Sequence, residues 1–423
     1  MARDNAAMSS VESAVFLNDH CHVQGGASRI AIDEAIAVAE RGIAVTFIGA
    51  TGPVGPELAA SRVRTICLGQ PQLTDVGSRP LVALQGLWNA PAARRTHEVL
   101  EALDPTRTIV HLHAYTKSLT TSPLRAAVRA GFPVVATLHD YFAICPTGNL
   151  YDYVKEIPCE LRPLSMQCFT TNCDKRHYAH KLYRVSRGVL QRWPGLMPGG
   201  VRHFIGLSTQ SVVTMRPYFR ESARIYPLHN IIDLEQRPAV DIRSGGSLVY
   251  VGRLDPEKGI RLLLAAADRA DVSLVFVGDG PLRAAVEASG RHRVTGWQTS
   301  DQVQAEIAQA RCLVFPSQWQ ETFGLVVCEA AARGVPAIVS DVTAAAERIR
   351  DRVTGYLFRS GDVAALARCL EATRDTAELA QMGRSAYEDF WSAPADRAHH
   401  VAKLLEIYAQ VLAAETAAAK ALS

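Results

Sequence analysis

LVFPSQWQETFGLVVCEAAARGVPAIVSD, residues 313–341, decides the fold. It begins on an apolar β-branched run, passes through a polar loop, continues as an Ala/Leu/Val-rich helical stretch and closes on a second apolar run. A strand, a helix and a strand in that order form a parallel crossover, because parallel neighbours need a long connection between them. The same alternation recurs outward from this stretch. SLVYVGRL (247–254), SLVFVGDG (273–280), RVTGW (293–297), CLVFPS (312–317) and PAIVSD (336–341) are expected strands, each followed by a helical segment. In the first half, strands are expected at 13–19, 43–49, 108–115, 133–141 and 203–208, with the helix ASRIAIDEAIAVAERG between the first two. Near-continuous apolar strands with helical crossovers imply parallel sheets covered on both faces. Two such series predict an α/β chain of two doubly wound, Rossmann-like domains facing each other across a cleft. The expected boundaries are 1–228 and 229–390, and the polar connection YPLHNIIDLEQRPAVDIRSGG (226–246) precedes the second series of strands. The remaining helical segment, 391–423, is expected to cross back to the first domain.

Composition agrees with this organisation. The 423 residues exceed one small domain, at about 150 residues each. Apolar residues make up 48% and charged residues 21%, an ordinary globular balance that argues against disorder or a collagen-like chain. A formal charge of +3 is too mild to imply nucleic acid. No apolar run approaches the ~18 residues of a membrane span. The start MARDNAAMSSVESAVF lacks the pattern of a secretory signal, so a cytoplasmic location is expected.

In doubly wound sheets ligands bind beyond the carboxyl ends of the strands, and the unusual residues of this sequence cluster there. Glu321 and Glu329 flank Thr322, Phe323 and Gly324 at a helix N-terminus, where free N–H groups and the helix dipole favour a phosphate. The two carboxylates can accept hydrogen bonds from sugar hydroxyls on either side of it. Arg253 and Lys258 follow a strand, five residues apart around Asp255-Pro256, and two cations there can clamp a diphosphate leaving group. Gly278, in GDGP, and Gly25 with Gly26, in QGGAS, could admit a ligand close to the backbone, although simple turns explain them equally well. His139 and Asp140 end an expected strand facing the cleft; His111 and His113 on its neighbour are weaker candidates.

Together these residues resemble the retaining glycosyltransferases of family 4, with the two-domain GT-B fold, most strongly over 247–342. The resemblance implies transfer of a glycosyl group from a UDP- or GDP-linked sugar to a glycan, lipid-linked or other hydroxyl acceptor in polysaccharide or glycoconjugate biosynthesis. By similarity, Glu329 would bind the ribose hydroxyls and Glu321 the donor sugar. Arg253 and Lys258 would neutralise the diphosphate. Gly26 and the amides of Phe323, Gly324 and Leu325 would complete the donor site, Trp297 would lie beside the base, and His139 would be the active-site histidine of the first domain. The family uses no metal at the donor phosphates, and the sequence has no Asp-x-Asp pair. A nucleotide-sugar epimerase of the same fold would not need the Glu321/Glu329 arrangement. A catalytically silent sugar-nucleotide-binding or scaffold protein is the reading from outside enzymology.

Two features stand outside this pattern. Cys145, Cys159, Cys168 and Cys173 lie in a poorly patterned insertion at intervals of 14, 9 and 5. Four thiolates could hold a structural zinc, and four unrelated thiols are the plain alternative. Residues 175–220 carry nine Lys/Arg and no Asp or Glu. Within them, HYAHKLYRVSRGVLQRW interleaves apolar residues with Lys181, Arg184, Arg187 and Arg192, which suits either an anionic membrane surface or a helix with a solvated basic face.

Overall fold

The computed structural model describes residues 11–72, 80–244 and 246–422. The stretch 1–10, which holds most of the start read above for an export signal, lies outside the described residues, as does Gly245 of the interdomain connection.

The first domain contains β1 (Ser13–His20), β2 (Ala44–Thr51), β3 (Arg64–Cys67), β4 (Thr108–Leu112), β5 (Val134–Thr137), the short antiparallel pair β6 (Tyr151–Asp152) and β7 (Ile157–Pro158), β8 (His203–Gly206) and β9 (Arg224–Pro227). Seven of these form a parallel sheet in the order β3-β2-β1-β4-β5-β8-β9. The second domain contains β10 (Ser247–Val251), β11 (Leu274–Val277), β12 (Arg293–Gly296), β13 (Ala310–Phe315), β14 (Ala337–Ser340) and β15 (Gly355–Phe358), parallel in the order β12-β11-β10-β13-β14-β15. Strand order therefore reverses between β1 and β4 in one sheet and between β10 and β13 in the other. Those are the switch points at which doubly wound sheets open a crevice.

Three strands in the two sheets were not anticipated: β3, β9 and β15. Each has four residues and forms the edge of its sheet. An edge strand is covered on one flank only, so it needs no long apolar run. The strands expected over 108–115 and 133–141 end early, at Leu112 and Thr137, and the residues beyond them belong to the crevice.

The terminal helix Arg397–Leu422 returns to the first domain. Leu404, Tyr408 and Val411 are fully buried against Phe16, Ile109 and Val135 of the sheet and the helix Gly26–Glu40. At about 1.5–3 kcal/mol for each large apolar side chain removed from water, this helix supplies a substantial part of that domain's core. The chain crosses between domains twice, and the crossings are bonded to each other: Ile232 N donates to Ala395 O at 2.9 Å, and His400 Nδ1 lies 2.8 Å from His229 O.

Candidate active site

The loop after β10 enters the single helical turn Pro256–Lys258, which Gly259 closes at φ 74°. A Cβ on Gly259 would lie 2.0 Å from Pro316 O, so this loop is pressed against the one after β13. The close approach brings Lys258 Nζ to 2.7 Å from Glu321 Oε1 and to 5.2 Å from the Trp319 ring. Arg253 is held by two acids of its own loop, 2.6 Å from Asp255 Oδ2 and 3.6 Å from Glu257 Oε1, with its guanidinium half-exposed. In the free protein both cations thus rest on carboxylates that a diphosphate could displace.

Gly324 (φ 85°) precedes the helix Leu325–Ala332. Across the gap, Gly25 (φ 97°) precedes the helix Gly26–Glu40, with Ser28 Oγ accepting from Gln24 N and donating to Gly25 O. A Cβ on Gly26 would sit 3.6 Å from Leu325 Cδ1. Two helix N-termini, each with free N–H groups and a positive dipole end, therefore meet between the domains. Thr322 joins the second domain's loop to the one after β5, its hydroxyl donating to His139 O at 2.7 Å. Phe323 is buried with the first domain's core, and the Arg348 guanidinium lies 4.2 Å from its ring centroid. Glu329 lies partly buried in the same helix. Burial pushes its pKa up, and Arg29 of the first domain opposes the rise.

His139 Nε2 lies 2.9 Å from His113 Nδ1, and a buried chain continues from there. His113 Nε2 is 3.5 Å from Glu34 Oε2, and Glu34 Oε1 is 2.9 Å from His400 Nε2 in the terminal helix. His111 Nδ1 lies 2.7 Å from Tyr408 Oη and 3.6 Å from Glu34 Oε2. Burial holds the pKa of His139 down to about 4 and those of His111 and His113 well below the usual value. His139 is therefore neutral near pH 7, and its other ring nitrogen, Nδ1, makes no hydrogen bond among the described residues. Asp140 beside it is pushed up to about 6 by burial.

Other expected residues stand apart from this centre. A Cβ on Gly278 would lie 2.0 Å from Gly252 O, so that glycine serves the packing of two loops. Trp297, after β12 at the sheet edge, is 68% exposed. The cysteines gather around Lys181, whose fully buried ammonium lies 3.0 Å from Cys173 Sγ and 3.5 Å from Cys168 Sγ; Cys145 Sγ contacts Thr147 Oγ1, and Cys159 is partly exposed. No three of these sulfurs lie within 4.8 Å of one another, and Lys181 stands between two of them. Among the described residues, the one group of three metal-type ligand atoms within 4.8 Å is Glu34, His111 and His113. Of the basic residues expected on a solvated face of the helix Tyr178–Arg192, Lys181 and Arg187 point inward.

Sequence reading missed how far the insertion reaches. Lys175 Nζ lies 2.6 Å from Asp255 Oδ1, and Tyr153 Oη donates to Glu257 Oε1 at 3.3 Å, so the module braces the Arg253 loop from the opposite domain. The acids of DPEK are visible in the sequence, but partners about 80 and 104 positions away leave no local pattern. Asp19 was missed too: its buried carboxylate accepts from the backbone N–H groups of Lys117, Ser118 and Leu119 at 2.8–2.9 Å and fixes the loop after β4.

Two family models match this chain. Glycosyltransferase Family 4 matches residues 24–236, and Glycosyl transferases group 1 matches residues 245–375. Among curated proteins, the sulfoquinovosyl transferase SQD2 of Arabidopsis thaliana is 32% identical over 34% of this chain. A phosphatidyl-myo-inositol mannosyltransferase of Mycobacterium leprae is 35% identical over 31%. The matched stretches span only 29% and 37% of those proteins. Among solved structures, Anabaena HepE in complex with UDP-glucose aligns at TM-score 0.64 and 19% identity, covering 94% of this chain and 99% of that one. Sucrose-phosphate synthase from Thermosynechococcus elongatus aligns at 0.66 and 18%, covering 95% and 100%. Likeness at that identity establishes the two-domain fold.

Proposed function

The chain belongs to glycosyltransferase family 4, and on that premise we propose that it moves a sugar, with retention, from a nucleotide-diphosphate donor to a hydroxyl acceptor in glycan or glycoconjugate assembly. What supports this reading is the approach of the helix starting at Gly26 to the one starting at Leu325, with Lys258 on Glu321 just ahead of the latter and Arg253 in the same loop as Lys258. Positive groups already in place can stabilise a departing diphosphate without reorganising. The donor's bond from C1 to the β-phosphate oxygen breaks, the acceptor oxygen bonds C1 from the same face, and the acceptor's proton passes to the leaving phosphate. Glu329 takes the ribose, Glu321 the donor sugar, and His139 a sugar hydroxyl. The charge of the donor is met by cations, so no metal is assigned to that step. Solved complexes of HepE with UDP and with UDP-glucose support a uridine donor; a guanosine donor is the alternative.

Release of nucleotide from UDP- and GDP-sugars tests this function. We expect slow donor hydrolysis that falls in Glu321→Ala and Lys258→Ala. Unchanged turnover in both would overturn the assignment and favour a silent binding protein.

Two further expectations belong to this proposal. No helix among the described residues is long and apolar enough to cross a membrane. Exposed Met166, Phe169 and Trp193 could instead place the insertion face on an anionic bilayer from the cytoplasmic side. Sedimentation with phosphatidylglycerol vesicles but not with phosphatidylcholine vesicles is the expected result. The structural zinc would require Lys181 to withdraw from the thiols; elemental analysis giving one zinc per chain would support it, and a zinc-free folded protein would remove it.

A further inference from the structure

A cavity of about 540 Å³ opens between the insertion, the helix Tyr178–Arg192 and the Arg253 loop. It adjoins the proposed donor site, sharing Arg253 and Glu257 with it, but most of its wall belongs to the first domain. Six cations line it, namely Lys117, Lys175, Arg176, Arg184, Arg187 and Arg253, against two carboxylates, Asp174 and Glu257.

Both carboxylates are already committed. Asp174 Oδ2 lies 2.8 Å from Arg184 Nε, and Glu257 accepts from Tyr153 and faces Arg253. Lys175 and Arg253 share Asp255, which lies behind the wall. Lys117, Arg176 and Arg187 are left without an ion pair among the described residues. Arg187 is the telling member, being 9% exposed. Its guanidinium donates to Thr116 O at 2.6 Å and to Pro146 O at 3.5 Å and lies 5.3 Å from the Phe142 ring centroid. Among the described residues no carboxylate touches this buried guanidinium, and Asp19 and Asp140, which act on it from farther off, compensate its charge only in part, so an arriving anion would be favoured. Burial accordingly lowers its pKa to about 10. Phe142, Tyr153 and Tyr183 also line the cavity and offer the flat apolar surface on which a sugar ring rests.

We propose that this cavity is the acceptor subsite and that the acceptor carries a phosphate or diphosphate ester, bound by Lys117, Arg176 and Arg187 while its hydroxyl is presented toward Arg253. This rests on the donor reading given above. The phosphate ester could belong to a polyprenyl lipid or to a soluble sugar phosphate, and the two share the chemistry recognised here.

The test is calorimetric titration of the full chain, first with UDP and GDP and then, with the donor site saturated by the better nucleotide, with three probes: farnesyl diphosphate in detergent, glucose 6-phosphate, and neutral octyl glucoside. Either phosphorylated probe should bind at least about tenfold more tightly than octyl glucoside, the equivalent of one charge-assisted contact. Tighter binding of farnesyl diphosphate assigns a lipid source, and tighter binding of glucose 6-phosphate a soluble one. The exposed pair Lys117→Ala/Arg176→Ala should lose about tenfold or more for the phosphorylated probe, and Lys117→Arg/Arg176→Lys should restore much of it. Equal affinity for the neutral probe, or no loss in the alanine pair, would overturn the subsite. Failure of both nucleotides to bind would instead strike the donor reading, so the two can fail separately.

Discussion

At Lys258 one side chain serves two ends. Its ammonium is the proposed phosphate clamp and also the counter-charge of Glu321, with both side chains less than one-fifth exposed. Lys258→Ala should lower turnover on the order of a hundredfold, as loss of a positioned transition-state donor does. It should also destabilise the fold by leaving a largely buried carboxylate unpaired. The double variant Lys258→Ala/Glu321→Ala should recover thermal stability while turnover stays low; a single variant as stable as the parent would contradict the pairing. Gly324 is constrained separately. At φ 85°, with Ala345 Cβ 2.6 Å from where a Cβ would go, Gly324→Ala must shift the start of the helix Leu325–Ala332. Nucleotide affinity should fall with it, read by thermal shift with UDP and with GDP. Both residues were legible in the sequence, because the strand-to-helix turn that needs them lies within a few positions. Glu34 was not, since its partners His111, His113 and His400 come from other elements.

Among elements, the terminal helix is bound to the first domain by polar as well as apolar contacts. Tyr408 Oη meets His111, and Glu415 Oε1 lies 2.9 Å from His203 Nε2. Tyr408→Phe keeps the ring and removes one buried hydrogen bond, so a loss of about 1 kcal/mol is expected from the denaturant midpoint. Tyr408→Ala, which also leaves a cavity, should cost about 3–5 kcal/mol. Similar values for both would mean the ring is not packed as described. Strands within the sheets were readable because buried parallel strands carry apolar runs. The edges β3, β9 and β15 were not, because half-covered strands do not need such runs. The insertion was the least readable element, since its order comes from Lys181, Lys175 and Tyr153 reaching distant partners.

For the whole molecule, acid is the informative variable. His111, His113 and His139 are held neutral by burial, their pKa values below the unfolded value of about 6.5. As pH falls below that value, the unfolded chain takes up protons that the folded chain refuses, so stability falls with acidification. Asp140 acts in the opposite sense. Its raised pKa, about 6, means the folded state binds the extra proton between roughly pH 4 and 6, and stability gains there on acidification. Three histidines outweigh one aspartate, so the thermal midpoint should drop from pH 7 to pH 5. His139→Gln should flatten that slope, and an unchanged slope would show that the ring is not held neutral.

The returning helix also bears on how the protein is made. Because the 26 residues Arg397–Leu422 complete the core around Phe16 and Ile109, the first domain leaves the ribosome missing a wall and must wait for that helix. Nascent chains stalled before residue 397 should therefore stay protease-sensitive in the first domain, whereas the second, whose sheet and covering helices are encoded earlier, should already resist digestion. Early resistance in both halves would mean the first domain closes its core unaided.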